Sequence, residues 1–305
     1  MSRFLLVRAG GVLVTLLLVV TFTFALTFAV PRDPARAVVG PKATEDQVLF
    51  VRERLGLDDP IHVQFARYVG NVAQGDLGYS YSQRRSVTAV LLDRLPYTML
   101  LALAAIVVQL LVGIPLGLLS AARSGGLLDR VGLGVSLMMI ALPPFWVGLV
   151  LLYLVAYRWR LLPLGGSDIP SGLVLPAVTL GFAGAAWTSR VMREAALEVL
   201  ASDSVRALRA KGMPPRTIIF KHCLRTAASP VLTMLAIDLG FFLGGAVLIE
   251  SVFAWPGLGL ASFQAMQQND VPLLMGCVII GSMFVLVLNL VADAARTLVD
   301  PRVRL

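Results

Sequence analysis

Long apolar runs alternate with polar segments along this chain, and the runs recur at the length that crosses a bilayer. Nearly unbroken apolar stretches cover residues 9–30, 96–122, 131–157, 231–253 and 271–292, and a shorter Gly/Ala-rich one from Leu173 to Ala186 opens a span assigned to 173–196. Each is near the ~20 residues a helix needs to span the hydrocarbon core, and well beyond the ~9–11 of a barrel strand. In lipid every backbone N–H and C=O needs a partner, which a helix supplies within one segment. The pattern predicts an all-α, polytopic membrane protein with about six transmembrane helices, read as a single domain over 1–305.

The polar stretches orient these spans. Residues 31–95 form an extracytoplasmic segment with Pro31, Pro34, Pro41 and Pro60, helical periods over Glu45–Leu55 and His62–Gln74, and a turn at Gly75–Gly78. Its charges nearly cancel, and a long segment of this kind is translocated regardless of charge. Arg3 and Arg8 before the first run, Arg123 and Arg130 after the second, and Arg302 and Arg304 at the end place both termini in the cytoplasm. A cleaved signal peptide competes for the first run, with Ala35-Arg36-Ala37 as its cleavage-like site. The apolar run exceeds the ~7–15 residues of a signal core, so an uncleaved helix is preferred.

Within the spans, Gly113-Ile114-Pro115-Leu116-Gly117 reads as an interruption of the second. Pro143-Pro144 predicts a kink in the third, since proline removes a helix donor and crowds the preceding turn. The fourth continues as a polar helix over Arg190–Val199, with Arg190, Glu194 and Glu198 at i, i+4 spacing.

Composition excludes the soluble classes. Of 305 residues 57% are hydrophobic and 14% charged, against about 25% charged in soluble domains. The net charge of +8 would suggest nucleic acid in a soluble chain, but it is concentrated between Arg190 and Arg225, where topology accounts for it. No nucleic-acid partner is expected. The two cysteines, Cys223 and Cys277, fall in a loop and in a span, so neither a disulfide nor a metal site is expected. The only lysines are Lys42, Lys211 and Lys221, and no Gly-x4-Gly-Lys-Ser/Thr phosphate loop exists, so the chain binds no ATP by that route.

The most structured polar stretch is the cytoplasmic loop 197–230. Ser202 or Asp203 can cap a short helix in which Ala201, Val205 and Leu208 share one face and Arg206 and Arg209 another. Gly212 suits the left-handed position after a helix, and Pro214-Pro215 forbid continuation. A second helix over Arg216–Ser229 puts Ile219, Cys223 and Ala227 on one side and Lys221 and Arg225 on another. The product is a helix–glycine turn–helix hairpin. It is either a docking element for a cytosolic partner or a basic loop lying on anionic headgroups.

Arg206-Ala207-Leu208-Arg209-Ala210-Lys211-Gly212, followed by Arg225-Thr226-Ala227-Ala228-Ser229-Pro230, resembles the coupling ("EAA") loop of ABC importer permeases. The form is that of the dipeptide/oligopeptide subfamily, with basic Arg206 in place of the name-giving Glu. Glu53-Arg54-Leu55-Gly56-Leu57-Asp58, Gly75-Asp76-Leu77-Gly78, Arg94-Leu95-Pro96, Glu250-Ser251-Val252-Phe253-Ala254-Trp255-Pro256-Gly257-Leu258-Gly259 and Leu298-Val299-Asp300-Pro301-Arg302 extend the likeness over nearly the whole chain. It is similar to the B-type, the first of two permease subunits. Leu208, where a small residue is usual, and Ser229, where an aliphatic is common, depart from the pattern.

The resemblance implies a type I ABC importer permease in the bacterial cytoplasmic (inner) membrane, paired with a second homologous permease. It implies one or two cytosolic ABC ATPase subunits, which carry ATP and Mg, and an extracytoplasmic substrate-binding protein. This chain would then be non-catalytic and bind no cofactor. Its cargo would be di- or oligopeptides, with nickel or another small solute as the alternative. Asp203, Arg206, Ala207, Arg209, Ala210, Lys211 and Gly212 would dock on the ATPase, and Trp255, Pro256 and Gly257 would offer contacts to the binding protein.

Ionisable groups inside spans point by default to function. Asp238 and Glu250, in or at the edge of the fifth span, either line the substrate path or bond to a neighbouring helix, and Glu250 is alternatively at the external interface. Gln109 is a further path candidate or an interhelical hydrogen bond. An ion-coupled secondary carrier built on the two acids would show inverted hydropathy repeats, which this chain lacks.

Overall fold

Apolar runs free of turn residues fold as helix throughout. The computed structural model describes residues 2–29, 34–39, 43–167 and 170–299. In order come α1 (Ser2–Ala29), α2 (Pro34–Val39), α3 (Glu45–Leu55), α4 (Ile61–Ala73), a two-stranded hairpin β1 (Tyr79–Ser80) and β2 (Arg85–Ser86), then α5 (Val87–Ala122). There follow α6 (Leu127–Ala141), α7 (Pro144–Leu151) with a π-helical extension Leu152–Arg158, α8 (Ser171–Ala201) and α9 (Asp203–Ala210). The chain closes with α10 (Pro215–Thr217), a π-helical segment Ile218–Cys223, α11 (Leu224–Val252), α12 (Leu258–Gln268) and α13 (Val271–Val299). The tail at Arg302–Arg304 lies outside the described residues.

Among the described residues, Val87–Ala122, Ser171–Ala201 and Val271–Leu290 are single helices long and apolar enough to cross a membrane. Leu127–Ala141 and Pro144–Arg158 together make a fourth candidate, bent by 98°. That bend is more than the kink expected of a mid-span proline. A residue before proline is pushed out of the helical region. In Leu142-Pro143-Pro144 this acts twice: Leu142 (ψ 126°) and Pro143 (ψ 130°) are both extended, and Pro144 opens α7 at the position proline favours. Single prolines act once, and Pro176 and Pro230 sit inside α8 and α11 without ending them.

Internal contacts group the chain into two units. One comprises the chain up to Tyr97 together with Pro256–Leu290, the other Thr98–Trp255 with the end of α13. The first unit carries much of the predicted extracytoplasmic segment. There α3 is closed at both ends. Thr44 and Gln47 form a reciprocal capping box, and Gly56 takes the left-handed conformation at φ 62°. Val20, Leu77, Val87, Leu91, Leu258 and Leu273 build its apolar core. Gly276 belongs to that packing, since a Cβ there would lie 2.4 Å from Val87 Cγ1.

Asp270 is the polar pin of the same unit. It is 2% exposed and accepts from Ser80 Oγ (2.5 Å), Ser82 N (2.9 Å) and Ser82 Oγ (2.6 Å), while capping α13 through Leu273 N (3.2 Å). Replacing it with alanine strands several buried donors at ~1–3 kcal/mol each, shared effects included. Asp270→Ala is expected to destabilise this unit by about 2–4 kcal/mol. Faster protease cleavage within 79–86 than in the wild type checks this, and an unchanged cleavage rate would count against it.

The second unit is organised on α8. Of α8's most apolar window 61% is buried, against 28% for α5, so α8 is the helix the others surround. Its approach to α5 is set by glycines on both sides. A Cβ at Gly113 would meet Thr188 Cβ at 2.7 Å, one at Gly117 the Ser189 carbonyl at 2.5 Å, and one at Gly181 the Ala105 carbonyl at 2.4 Å. The Gly113–Gly117 stretch, which reads in sequence as an interruption, is therefore unbroken helix in α5 and serves as its contact surface.

Candidate functional site

The end of α8 and the start of α11 hold the loop singled out by its sequence. Ser202 leaves the helical region at ψ 154°, donates from Oγ to Val199 O (2.7 Å) and caps α9 by accepting from Val205 N (3.5 Å). The far end of α9 closes as a complete Schellman turn. Gly212 N donates to Arg209 O (3.0 Å) and Met213 N to Leu208 O (3.1 Å), with Gly212 at φ 75°. Pro214 is extended and Pro215 opens the next helix.

This punctuation fixes which side of α9 faces out. Val205 is buried and Leu208 partly buried, while Asp203, Arg206, Ala207, Arg209, Ala210, Lys211 and Gly212 are all exposed. Asp203 and Arg206 pair at 2.9 Å on the surface, where such a pair adds little stability. The outward face is thus a basic rim around two alanines, which leave a flat floor.

The second arm differs from the expected separate helix ending at Ser229. α11 runs from Leu224 through Pro230 to Val252 without a break, so the loop and the fifth span share one helix. Its inner side packs where periodicity predicts: Cys223, Ala227 and Val231 join Leu118, Met192 and Ala196 in one apolar cluster. Cys223 Sγ lies 3.6 Å from Ala196 O, and burial pushes its thiol pKa up, so it behaves as a packing residue rather than a reactive thiolate.

The three path candidates do not form one site. Gln109 on α5 donates to Thr188 on α8 (2.8 Å) and to Asp238 on α11 (2.5 Å), tying three helices together. Glu250 is wholly buried and accepts from Thr98 Oγ1 on α5 (2.7 Å), a bond to a neighbouring helix of the kind weighed against lining the path. Twelve residues of continuous helix hold the two acids about 18 Å apart along α11. The external candidates are also redistributed: Trp255 is 0% exposed and Gly257 is buried, leaving Pro256 partly accessible. The indole of Trp255 is a core group and cannot act as an exposed contact.

One group escaped the sequence reading. Arg193 makes a bidentate pair with Asp129 across α8 and α6 (Nε–Oδ1 2.6 Å, Nη2–Oδ2 2.8 Å), and Gly125 N adds a third bond at 2.9 Å. The helical spacing had singled out Arg190, Glu194 and Glu198, yet Arg190 lies 5.9 Å over the Trp187 ring. No signal in the sequence joins positions 129 and 193, since the pair exists only because α6 returns along α8. The Arg193 hydrogen bonds, then the Gly125 N–H, hold the Asp129 carboxyl down at about 2 from 3.8. A depressed carboxylate gives stability that is complete above its unfolded pKa and is lost on acidification. The α6–α8 junction is therefore expected to hold at neutral pH and to loosen as pH falls from about 4 towards 2. Asp129→Asn removes that acid dependence, as thermal unfolding of detergent-solubilised protein at several pH values would show.

Comparison with known proteins places this geometry. Residues 113–305 match the binding-protein-dependent transport system inner membrane component family, and residues 1–102 match the N-terminal region of such membrane components. The chain belongs to this family. It is a permease subunit of a binding-protein-dependent ABC importer. The glutathione transport system permease protein GsiC of Salmonella paratyphi A (strain ATCC 9150 / SARB42) is 35% identical over 304 residues, covering 100% of this permease and 99% of that protein. GsiC of Escherichia coli (strain K12) is 33% identical over the same span with the same coverage. Among solved structures, the MetNI methionine ABC transporter in an inward-facing conformation aligns with a TM-score of 0.56 at 20% identity, covering 69% of this permease and 96% of that chain. That likeness supports the helical permease fold and nothing finer.

Proposed function

We propose that this permease forms half of an inner-membrane translocation path for a small peptide and takes its stroke from ATPase subunits docked on α9. The observation that carries this reading is the exposed, Schellman-closed α9, placed one short turn from a helix that continues unbroken into the fifth span. A rigid lever of that kind passes a displacement at α9 to the membrane, whereas a flexible loop would absorb it. The seven outward residues from Asp203 to Gly212 are the contact set. ATP and Mg belong to the partner ATPases, and this chain carries out no catalysis and holds no cofactor.

The remaining architecture follows the sequence reading. Six spans, with both termini and residues 197–230 cytoplasmic and residues 31–95 outside, accommodate the apolar runs and the positive charge together. A second homologous permease completes the path, one or two ATPases drive it, and an extracytoplasmic binding protein delivers cargo. Full-length likeness to glutathione permeases favours a peptide-class substrate, glutathione or another short peptide, over nickel.

The test is reconstitution of the permease with its partner permease, ATPases and binding protein. Glutathione or a dipeptide is expected to stimulate ATP hydrolysis severalfold. Stimulation by nickel and not by any peptide would overturn the cargo while leaving the permease assignment intact. Labelling of an Ala201→Cys variant from the cytoplasmic side alone checks the orientation.

A further inference from the structure

Behind α9, on the side away from the seven outward residues, the structure holds a groove of about 520 Å³. Its floor is apolar, made by Ala195 and Val199 of α8, Val205 and Leu208 of α9, and Ala227 of α11. Its rim carries the cations Lys221 and Arg225 with the His222 imidazole beside them, and the hydroxyls of Ser202, Ser204 and Thr226 around them. Glu198 is the single carboxylate in the lining. Neither Lys221 nor Arg225 has an ion pair among the described residues, and both are exposed. Two free cations facing one carboxylate over an apolar floor suit an amphiphilic anion.

The position of the groove selects among such anions. It reaches Pro230, the residue before the fifth span, and Leu232 just beyond is 57% exposed, as a lipid-facing residue would be. Arg225 stands six residues before Val231 on the same helix, about 9 Å along its axis. The headgroup region adds about 5–8 Å on each side of the hydrocarbon core, so the backbone at Arg225 stands just beyond it, within reach of the headgroups for a long cationic side chain directed back along the helix. None of the groove's residues belongs to the outward set on α9, so a docked ATPase would leave it open towards the membrane.

We propose that this groove seats the headgroup of an anionic phospholipid from the surrounding leaflet, its phosphate between Lys221 and Arg225 and its glycerol on the apolar floor. The site rests on residues 197–230 being cytoplasmic and near the bilayer. It would make the resting position of α9 depend on membrane composition, because lipid on one side and ATPase on the other hold the same short helix.

The experiment uses the complete transporter in nanodiscs of phosphatidylcholine and phosphatidylglycerol in equal parts, with retained lipid counted by native mass spectrometry after detergent extraction. The wild type is expected to retain phosphatidylglycerol in preference to phosphatidylcholine. Lys221→Gln with Arg225→Gln should weaken that retention about 30-fold, at about fivefold for each cation near an anionic surface. The swap Lys221→Arg with Arg225→Lys keeps the charge and should keep the lipid, which separates a binding role from a folding one. Equal retention in the wild type and the neutralised variant would overturn the proposal. So would displacement of the lipid by an equal concentration of soluble glycerol phosphate, which would mark a free-anion site. Loss of the ATPase subunits from the neutralised variant would instead assign the groove to the ATPase interface. Labelling of the Ala201→Cys variant, at an exposed position outside the groove, reports orientation independently, so a failed lipid site and a failed topology give different results.

Discussion

Gly117→Val combined with Gly181→Val yields a permease that reaches the membrane but does not assemble its helices. Both glycines sit where α5 and α8 touch, and the atoms a new side chain would meet are backbone carbonyls: Ser189 O at 2.5 Å from the Gly117 site and Ala105 O at 2.4 Å from the Gly181 site. A flexible side chain could swing aside, but a carbonyl inside a helix cannot move without its helix. Overpacking a close contact costs ~1–3 kcal/mol, so the pair removes about 2–6 kcal/mol, much of the ~5–15 kcal/mol that separates folded from unfolded chains. The double variant is expected to elute as aggregate from detergent size-exclusion chromatography, whereas Gly134→Ala, which meets nothing within 4 Å, should elute like the wild type. A monodisperse double variant at wild-type yield would disprove the close α5–α8 contact.

Arg209→Glu with Gly212→Pro has the opposite signature: the protein stays folded and the transporter stops. Gly212 has φ 75°, while proline is confined near −65° and lacks the N–H that bonds Arg209 O. The Schellman turn therefore cannot form, and α9 loses its fixed angle to α11. Arg209→Glu at the same time reverses a charge on the outward face and sets a carboxylate against the negative end of the helix dipole. Both positions are exposed and belong to none of the apolar clusters, so membrane insertion and yield should match the wild type. Substrate-stimulated ATP hydrolysis is expected to fall to the basal rate, and ATPase co-purification by tenfold or more, which corresponds to a loss of about 1.4 kcal/mol at the interface. Full stimulation in this variant would remove α9 from the coupling path.

These two outcomes separate what the chain needs to exist from what it needs to work. The glycines at the α5–α8 contact are buried in a unit whose central helix is small-residue rich, and the turn glycine is exposed. A substitution scan that reads only residue type would treat Gly117 and Gly212 alike. Their difference lies in what a Cβ meets at each: a neighbouring backbone at Gly117, and open space with a strained left-handed φ at Gly212.

Local order was legible from sequence because it depends on neighbours in the chain. Apolar run length marked the helices, and Ser202, Gly212 and Pro214-Pro215 marked where α9 begins and ends, since capping and left-handed turns are decided within a few residues. The outward face of α9 followed from the same periodicity, and the family followed from motifs in fixed order. What only the tertiary structure decided involves partners far apart in sequence. Asp129 with Arg193, Gln109 with Thr188 and Asp238, and Asp270 with Ser80 and Ser82 are pairings that no local spacing encodes. The same holds for glycines that read as a helix interruption and are a contact surface, and for Trp255, which looks like an exposed loop aromatic and is wholly buried. Backbone conformation is set by nearest neighbours, so a sequence displays it directly. Which side chains meet across helices depends on how the helices pack, and that became readable only once they were packed.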